Sequence, residues 1–278
     1  MDFYCHELYK GLKGRFEGTQ GFFYSSIGRV YYVYAGAEHK PALLLLHNLG
    51  PGMSGFEWCS NFEELKRNFK VYAVDMPGCA RSQKDRDYYT APMFIRFVCE
   101  FIVKKIKRPV IIIASGISAG FAVHAAHALP GYVRGVIVSA PVCSAGEYSF
   151  FSPEMQRLPM KTIMQLLIQE KNLKSFATGC VSQLAAQNKN GFFDEMKLCA
   201  GLSPDGETAA ASMAKGLGNT DFYQILRYIK CPVLLLNTNV HKAIGKNILT
   251  KNLDGKAPHF DSAGKFHDAV EDFAALAI

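Results

Sequence analysis

At 278 residues, 49% of them apolar, the chain suffices for one α/β domain of ordinary size with an inserted subdomain, and is too apolar to be a disordered chain. Thirty-one basic residues against 24 acidic ones leave a modest net charge of +7, and no interleaved aromatic and basic motif marks a nucleic-acid partner. The eight cysteines are scattered, with no C-x-x-C pair and no zinc-ligand spacing. They read as small core residues of a reducing compartment, and neither a metal nor a cofactor is expected.

The opening "MDFYCHELYKGLKGRF" has polar residues throughout and no apolar h-region, so no signal peptide and a cytoplasmic location are expected. "GFFYSS" and "RVYYVYAG", separated by Ile27-Gly28, predict an antiparallel hairpin. "ALLLLH" is a continuous apolar run, the pattern of a strand buried on both faces. Phe56, Cys59, Phe62 and Leu65 then recur at helical spacing. "VYAVDMPG" is the next strand, followed by a helix around residues 91–107, the strand "PVIIIA", a helix to about Leu129 and the strand "VRGVIVSAP". Lys104, Lys105, Lys107 and Arg108 ("KKIKR") fall where that helix ends. Positive charge there complements the macrodipole, and the cluster reads as a solvated helix end.

Pro109 to Val133 holds no Asp, Glu, Lys or Arg, but its three glycines, two histidines and two prolines suit a buried strand, turn and helix rather than a membrane span. From 145 to 216 the pattern changes to helical segments without strands ("MKTIMQLLIQEKNLKSFA", "GFFDEMKLCAGL", "ETAAASMAKGL"). The sheet resumes with "CPVLLLN", a last short strand is expected near "APHFD", and "HDAVEDFAALA" closes the chain as a helix. Alternating strands and helices predict an α/β fold with a mostly parallel sheet covered on both faces.

Gly116-Ile117-Ser118-Ala119-Gly120 matches G-x-S-x-G, the nucleophile elbow of serine hydrolases. Around it, "LLLLHNLGPGMSGFEW", "VYAVDMPGCARSQK", "PVIIIASGISAGFAVHAAHALP" and "GYVRGVIVSAP" follow one another in an order and spacing that resembles the α/β-hydrolase fold over nearly the whole chain. The resemblance implies a core of residues 1–144 and 217–278 with a helical lid at 145–216. It also implies a nucleophile on the elbow, a histidine base, an acid and two backbone N–H groups for the oxyanion.

Aligned on that pattern, the elbow has a different register from the literal motif. Ala114 and Ser115 separate the strand from the nucleophile slot, which falls on Gly116, fourteen residues before Pro130 as the family spaces them. Glycine adopts the strained elbow dihedrals without Cβ cost but supplies no nucleophile. Thr238 to Lys242 after the "PVLLLN" strand contain no acid, His241 falling nearest, and Glu147 is distant. Ala263-Gly264 align with the family's A-G, which puts Lys265 in the base slot and leaves His267 two residues on. His47-Asn48 stand for the family's H-G, so Asn48, Leu49 and Ile117 are the oxyanion-pocket candidates.

Three readings follow. The first is a family member without serine-hydrolase chemistry, binding a small molecule in a lidded apolar pocket, lined by Tyr148, Phe150 and Phe151, or binding a partner. The second is a rewired hydrolase of small esters or amides using Ser118 or Ser115 with His47 or His267. The third is cofactor-independent, non-hydrolytic chemistry with Lys265 or His47. Whether the protein is an enzyme and what its oligomeric state is stay open at this point; no nucleic-acid partner and no membrane span are expected.

Overall fold

The computed structural model describes residues 17–142, 147, 151–203, 205–238 and 245–277. Tyr148, Phe150 and His241 lie outside these. The opening hairpin forms from β1 (Thr19–Ser25) and β2 (Gly28–Ala35), antiparallel, with Ser25 opposite Gly28. β2 pairs antiparallel with β4 (Lys70–Val74), and from there every neighbouring pair is parallel. The spatial order of the eight strands is β1-β2-β4-β3-β5-β6-β7-β8, with β3 at Ala42–Leu46, β5 at Val110–Ser115, β6 at Val133–Ser139, β7 at Val233–Leu236 and β8 at Ile248–Lys251.

Period-two alternation divides the central strands between two cores. Leu44, Leu46, Ile112, Val136 and Val138 face α2 (Ala91–Glu100) and α3 (Ser118–Ala128), against Phe94, Phe97 and Phe121. Leu43, Leu45, Ile111, Ile113 and Ile137 face the other layer, against Trp58, Phe62 of α1 (Phe62–Asn68), and the C-terminal helix residues Phe266, Val270 and Phe273. At about 1.5–3 kcal/mol for each fully buried aliphatic or phenyl side chain, these two layers dominate the stability. The helical stripe from Phe56 to Leu65 is interrupted: a 3₁₀ turn at Gly55–Trp58 precedes α1. α2 continues into a wider π-helical turn, Phe101–Ile106, ending at Lys107 with φ +58°.

Between β6 and β7 the described chain is helical: α4 (Pro153–Arg157), α5 (Met160–Leu167), α6 (Glu170–Phe176), α7 (Gln183–Ala186), α8 (Phe192–Gly201), α9 (Thr208–Ala214) and α10 (Phe222–Ile225). Their apolar faces form a third cluster, Phe151, Ile163, Leu167, Phe176, Phe192 and Met196 among them, with Met53, Phe56 and Phe260 of the sheet-bearing part. Among the described residues no helix is long and apolar enough to cross a membrane.

One expectation needs correcting. The last strand is β8, and "APHFD" is a short helix, α11 (Pro258–Asp261), immediately before α12 (Ala263–Ala277). Pro258 presets φ for a first helical residue, while the Asp261 carboxylate accepts the Lys256 and Ala257 N–H groups at 2.7 and 2.9 Å. β8 escapes the sequence pattern because it is an edge strand with three of its four residues exposed.

Candidate functional site

The C-terminal ends of β3, β5 and β6 converge on one buried polar cluster. Gly116, directly after β5, sits at the tip of the strand-to-helix turn with φ +53°, the left-handed region that glycine enters without Cβ strain. Ser118 opens α3 instead, and its hydroxyl donates to the His47 carbonyl at 2.6 Å. The Ser115 hydroxyl donates to Glu57 Oε2 at 2.9 Å. Neither serine meets an imidazole. His47 spends both ring nitrogens on backbone, Nε2 accepting from Met76 N–H at 2.8 Å and Nδ1 donating to the Asn48 carbonyl at 2.6 Å. Full burial depresses its pKa, so it is a neutral structural bridge between β3 and the loop after β4.

Asn48, Leu49 and Ile117 do come together, with a feature not visible in the sequence. The Asn48 side-chain oxygen accepts the Leu49 N–H at 2.9 Å and the Ile117 N–H at 3.2 Å. The two amides expected to face an oxyanion therefore converge on the protein's own carboxamide. The Asn48 Nδ2 in turn donates to the Cys180 carbonyl at 3.4 Å, from the segment after α6.

Lys265 is elsewhere. It lies on the outer surface of α12, and its ammonium pairs with Asp254 at 2.6 Å, with 63% of the side chain exposed. That carboxylate raises its pKa, opposite to the depression that a lysine in an apolar pocket would show. His267 also points away, its Nε2 at 3.1 Å from Asn61 Nδ2. The histidine that reaches the strand ends is His259 of α11, 1% exposed, which the sequence alignment on Ala263-Gly264 missed.

His259 Nδ1 lies 2.8 Å from Ser139 Oγ at the end of β6, and its Nε2 lies 3.1 Å from Glu57 Oε1. Glu57 comes from the 3₁₀ turn after β3, buried to 1%, and also accepts the Asn48 N–H at 2.5 Å. A carboxylate only accepts, so Nε2 carries the proton and the Nδ1 lone pair faces the Ser139 hydroxyl. Trp58 holds the imidazole from the side, with ring centroids 4.7 Å apart. The sequence signals available were a Pro-His step just before the closing helix and a lone carboxylate in the apolar "GFEW".

The helical segment between β6 and β7 makes several contacts with the loops beside this cluster. The Phe176 ring lies directly over Gly50, where a Cβ would come within 2.0 Å of it. Arg81, buried at the end of the β4 loop, reaches Asp75 at 3.1 Å and Glu195 of α8. Glu207, next to α9, accepts the Gly52 N–H at 2.8 Å and the Ala80 N–H at 3.1 Å, tying two loops of the sheet-bearing part to one side chain.

Burial pushes the Glu207 carboxyl up to about 7, against the Lys84 charge and the two N–H donors, which favour ionisation. The native state thus holds this proton more tightly than an unfolded chain, where the value is near 4.5. Its stabilising contribution is fully present below about pH 4.5 and is lost as pH rises through about 7, a swing of about 3 kcal/mol. Urea titrations from pH 5 to 8 are expected to show this slope in the native protein and a flatter profile in Glu207→Gln. The Gln side chain loses one acceptor, so the slope rather than the absolute stability is diagnostic; parallel slopes would count against a buried ionisation.

Comparison with known proteins agrees with the topology. The residue pattern of the Alpha/beta hydrolase family matches residues 43–263. Carboxylesterase CesB from Bacillus subtilis has a similar structure, with TM-score 0.71 at 16% identity, covering 99% of this chain and 98% of that one. Naproxen esterase from Bacillus subtilis gives 0.67 at 14%, over 97% and 96%. The enol-lactonase from Burkholderia xenovorans LB400 gives 0.65 at 14%, over 92% and 100%. At these identities the likenesses speak for the fold, and the family match speaks for descent: the chain belongs to the α/β hydrolase family.

Proposed function

We propose that this protein binds a small acyl-bearing molecule beneath the helical segment at 145–216, acting as a lid, and that it has lost the family's elbow-serine hydrolysis. The single observation that carries the reading is Gly116 at the elbow tip with φ +53°, a position from which no side chain can attack. Asn48 supports it: a carboxamide oxygen rests on the Leu49 and Ile117 N–H groups, and a ligand's carbonyl or carboxylate oxygen is the equivalent acceptor. The esterase and lactonase neighbours favour an ester, lactone or the matching acid as the ligand class. His259 then serves as a positioning group, held by Glu57 and Ser139. A cytoplasmic location fits the many unpaired thiols, Cys59, Cys79, Cys99, Cys180, Cys199 and Cys231 among them.

A second reading rests on the Ser139–His259–Glu57 chain. Its hydrogen-bond order is that of a nucleophile, base and acid, with the serine moved to the end of β6 and followed by Ala140 at φ +49°. Treatment of the full chain with a fluorophosphonate, mapped by mass spectrometry, separates the two. The first reading expects no adduct at Ser115, Ser118 or Ser139 and no turnover of short-chain esters. A stoichiometric adduct on Ser139 that Ser139→Ala abolishes would establish the relocated nucleophile instead.

A further inference from the structure

We propose that a basic cavity at the opposite end of the sheet binds a small soluble phosphate ester, independently of the site described above. The cavity encloses about 310 Å³ where β3, β5 and β6 begin, and is lined by His39, Lys40, Arg108, Arg134 and the adjoining Pro41 and Pro109. That volume is at the lower end of small-molecule sites and matches one phosphate group with a short organic body.

Three observations point to an anion. The lining residues include three permanent cations and no carboxylate. The guanidinium of Arg108 is only half used: Nη1 donates to the Glu38 carbonyl, whereas Nη2 is buried with no hydrogen-bond partner among the described residues. A buried unpaired guanidinium N–H is costly, and an oxyanion satisfies it with a charge-assisted bond. Arg134, the second residue of β6, is exposed and makes no hydrogen bond or ion pair with the described residues. Glu38, whose exposed carboxylate also feels the Arg108 charge, pairs directly with Lys70 rather than with the cavity's cations. Of the sequence's "KKIKR" cluster, Arg108 is therefore the member turned to a cavity, while Lys104 and Lys107 are exposed on the helix end and Lys105 lies over Tyr32 and Tyr34.

Phosphate suits this arrangement better than carboxylate, because two guanidinium forks and an ammonium present more donors than two carboxylate oxygens can accept. The planar forks from β5's approach and from β6 supply bidentate recognition, and Lys40, whose ammonium also bonds the Arg67 carbonyl, supplies a point charge.

The test is calorimetric titration of the full chain with inorganic pyrophosphate at fixed ionic strength. Saturable one-to-one binding is expected, weakened about tenfold or more by Arg108→Gln and by Arg134→Gln, and unchanged by Lys161→Ala, an exposed lysine far along the chain. Arg134 is exposed, so its variant reports on binding even if the Arg108 variant folds poorly. Affinity unchanged in Arg134→Gln, or heat that potassium chloride reproduces at equal ionic strength, overturns the proposal. Sedimentation with phosphatidic-acid vesicles while pyrophosphate fails to bind would also overturn it, in favour of a lipid headgroup.

Discussion

Replacing Glu57 by alanine is expected to destabilise the protein by about 3–5 kcal/mol, a shift in urea midpoint well outside experimental scatter. This carboxylate accepts three donors at once: the Asn48 N–H, the Ser115 hydroxyl and the His259 ring N–H. All three are buried, so its removal leaves them facing neither protein nor water. Glu57→Gln keeps the shape and one acceptor oxygen and is expected to lose about half as much. The pair of variants distinguishes the polar network from simple packing, since an apolar role would let Gln cost as much as Ala. A Glu57→Ala midpoint within about 1 kcal/mol of the native protein would mean that the network contributes little.

Arg81→Met is expected to cost a similar 3–5 kcal/mol, for a different reason. The guanidinium stands between two buried carboxylates, Asp75 of the loop after β4 and Glu195 of α8, each 2% exposed. Without it both charges stay in a low-dielectric interior uncompensated. Asp75 still accepts the Gly55 N–H at 2.8 Å and the Arg81 N–H at 3.1 Å, whereas among the described residues Glu195 keeps only the Cys199 thiol, at 3.6 Å. The loss is therefore expected to fall on the helical segment first, with proteolytic nicking around α8 at urea concentrations where the sheet still holds. Adding Asp75→Asn and Glu195→Gln to Arg81→Met should recover most of the loss, since neutral amides no longer need the cation; failure to recover would show that Arg81 acts through packing instead.

The fold was legible because its central strands are unbroken apolar runs. "ALLLL" and "VIIIA" read as buried on both faces from composition alone, and the helices between them carry their own end signals. Pro130 and the end of β5 bracket Gly116 from both sides in the sequence, and the structure gives that glycine a φ of +53°. What escaped was whatever depended on contacts between distant segments. "APHFD" alternates as a strand does, but Pro258 at the first helical position and the Asp261 carboxylate folding back on Lys256 and Ala257 favour a helix. His259 was hidden with it, and the alignment passed to Lys265 instead. Glu57 and Glu207 carry no motif; they matter because tertiary structure brings backbone N–H groups to them from 9 to 155 positions away in the chain.

Under the proposed function, Asn48 sets a threshold on the ligand. Its carboxamide behaves as a tethered competitor, held beside Leu49 and Ile117 at an effective concentration of about millimolar or more. An incoming oxygen must displace it, and the displaced amide must also release the Cys180 carbonyl. Under that reading weak acceptors lose the contest and well-matched ones win. Occupancy of the two donors would thereby be reported directly to the segment that carries Cys180, making admission and the position of that segment two readings of one rotamer.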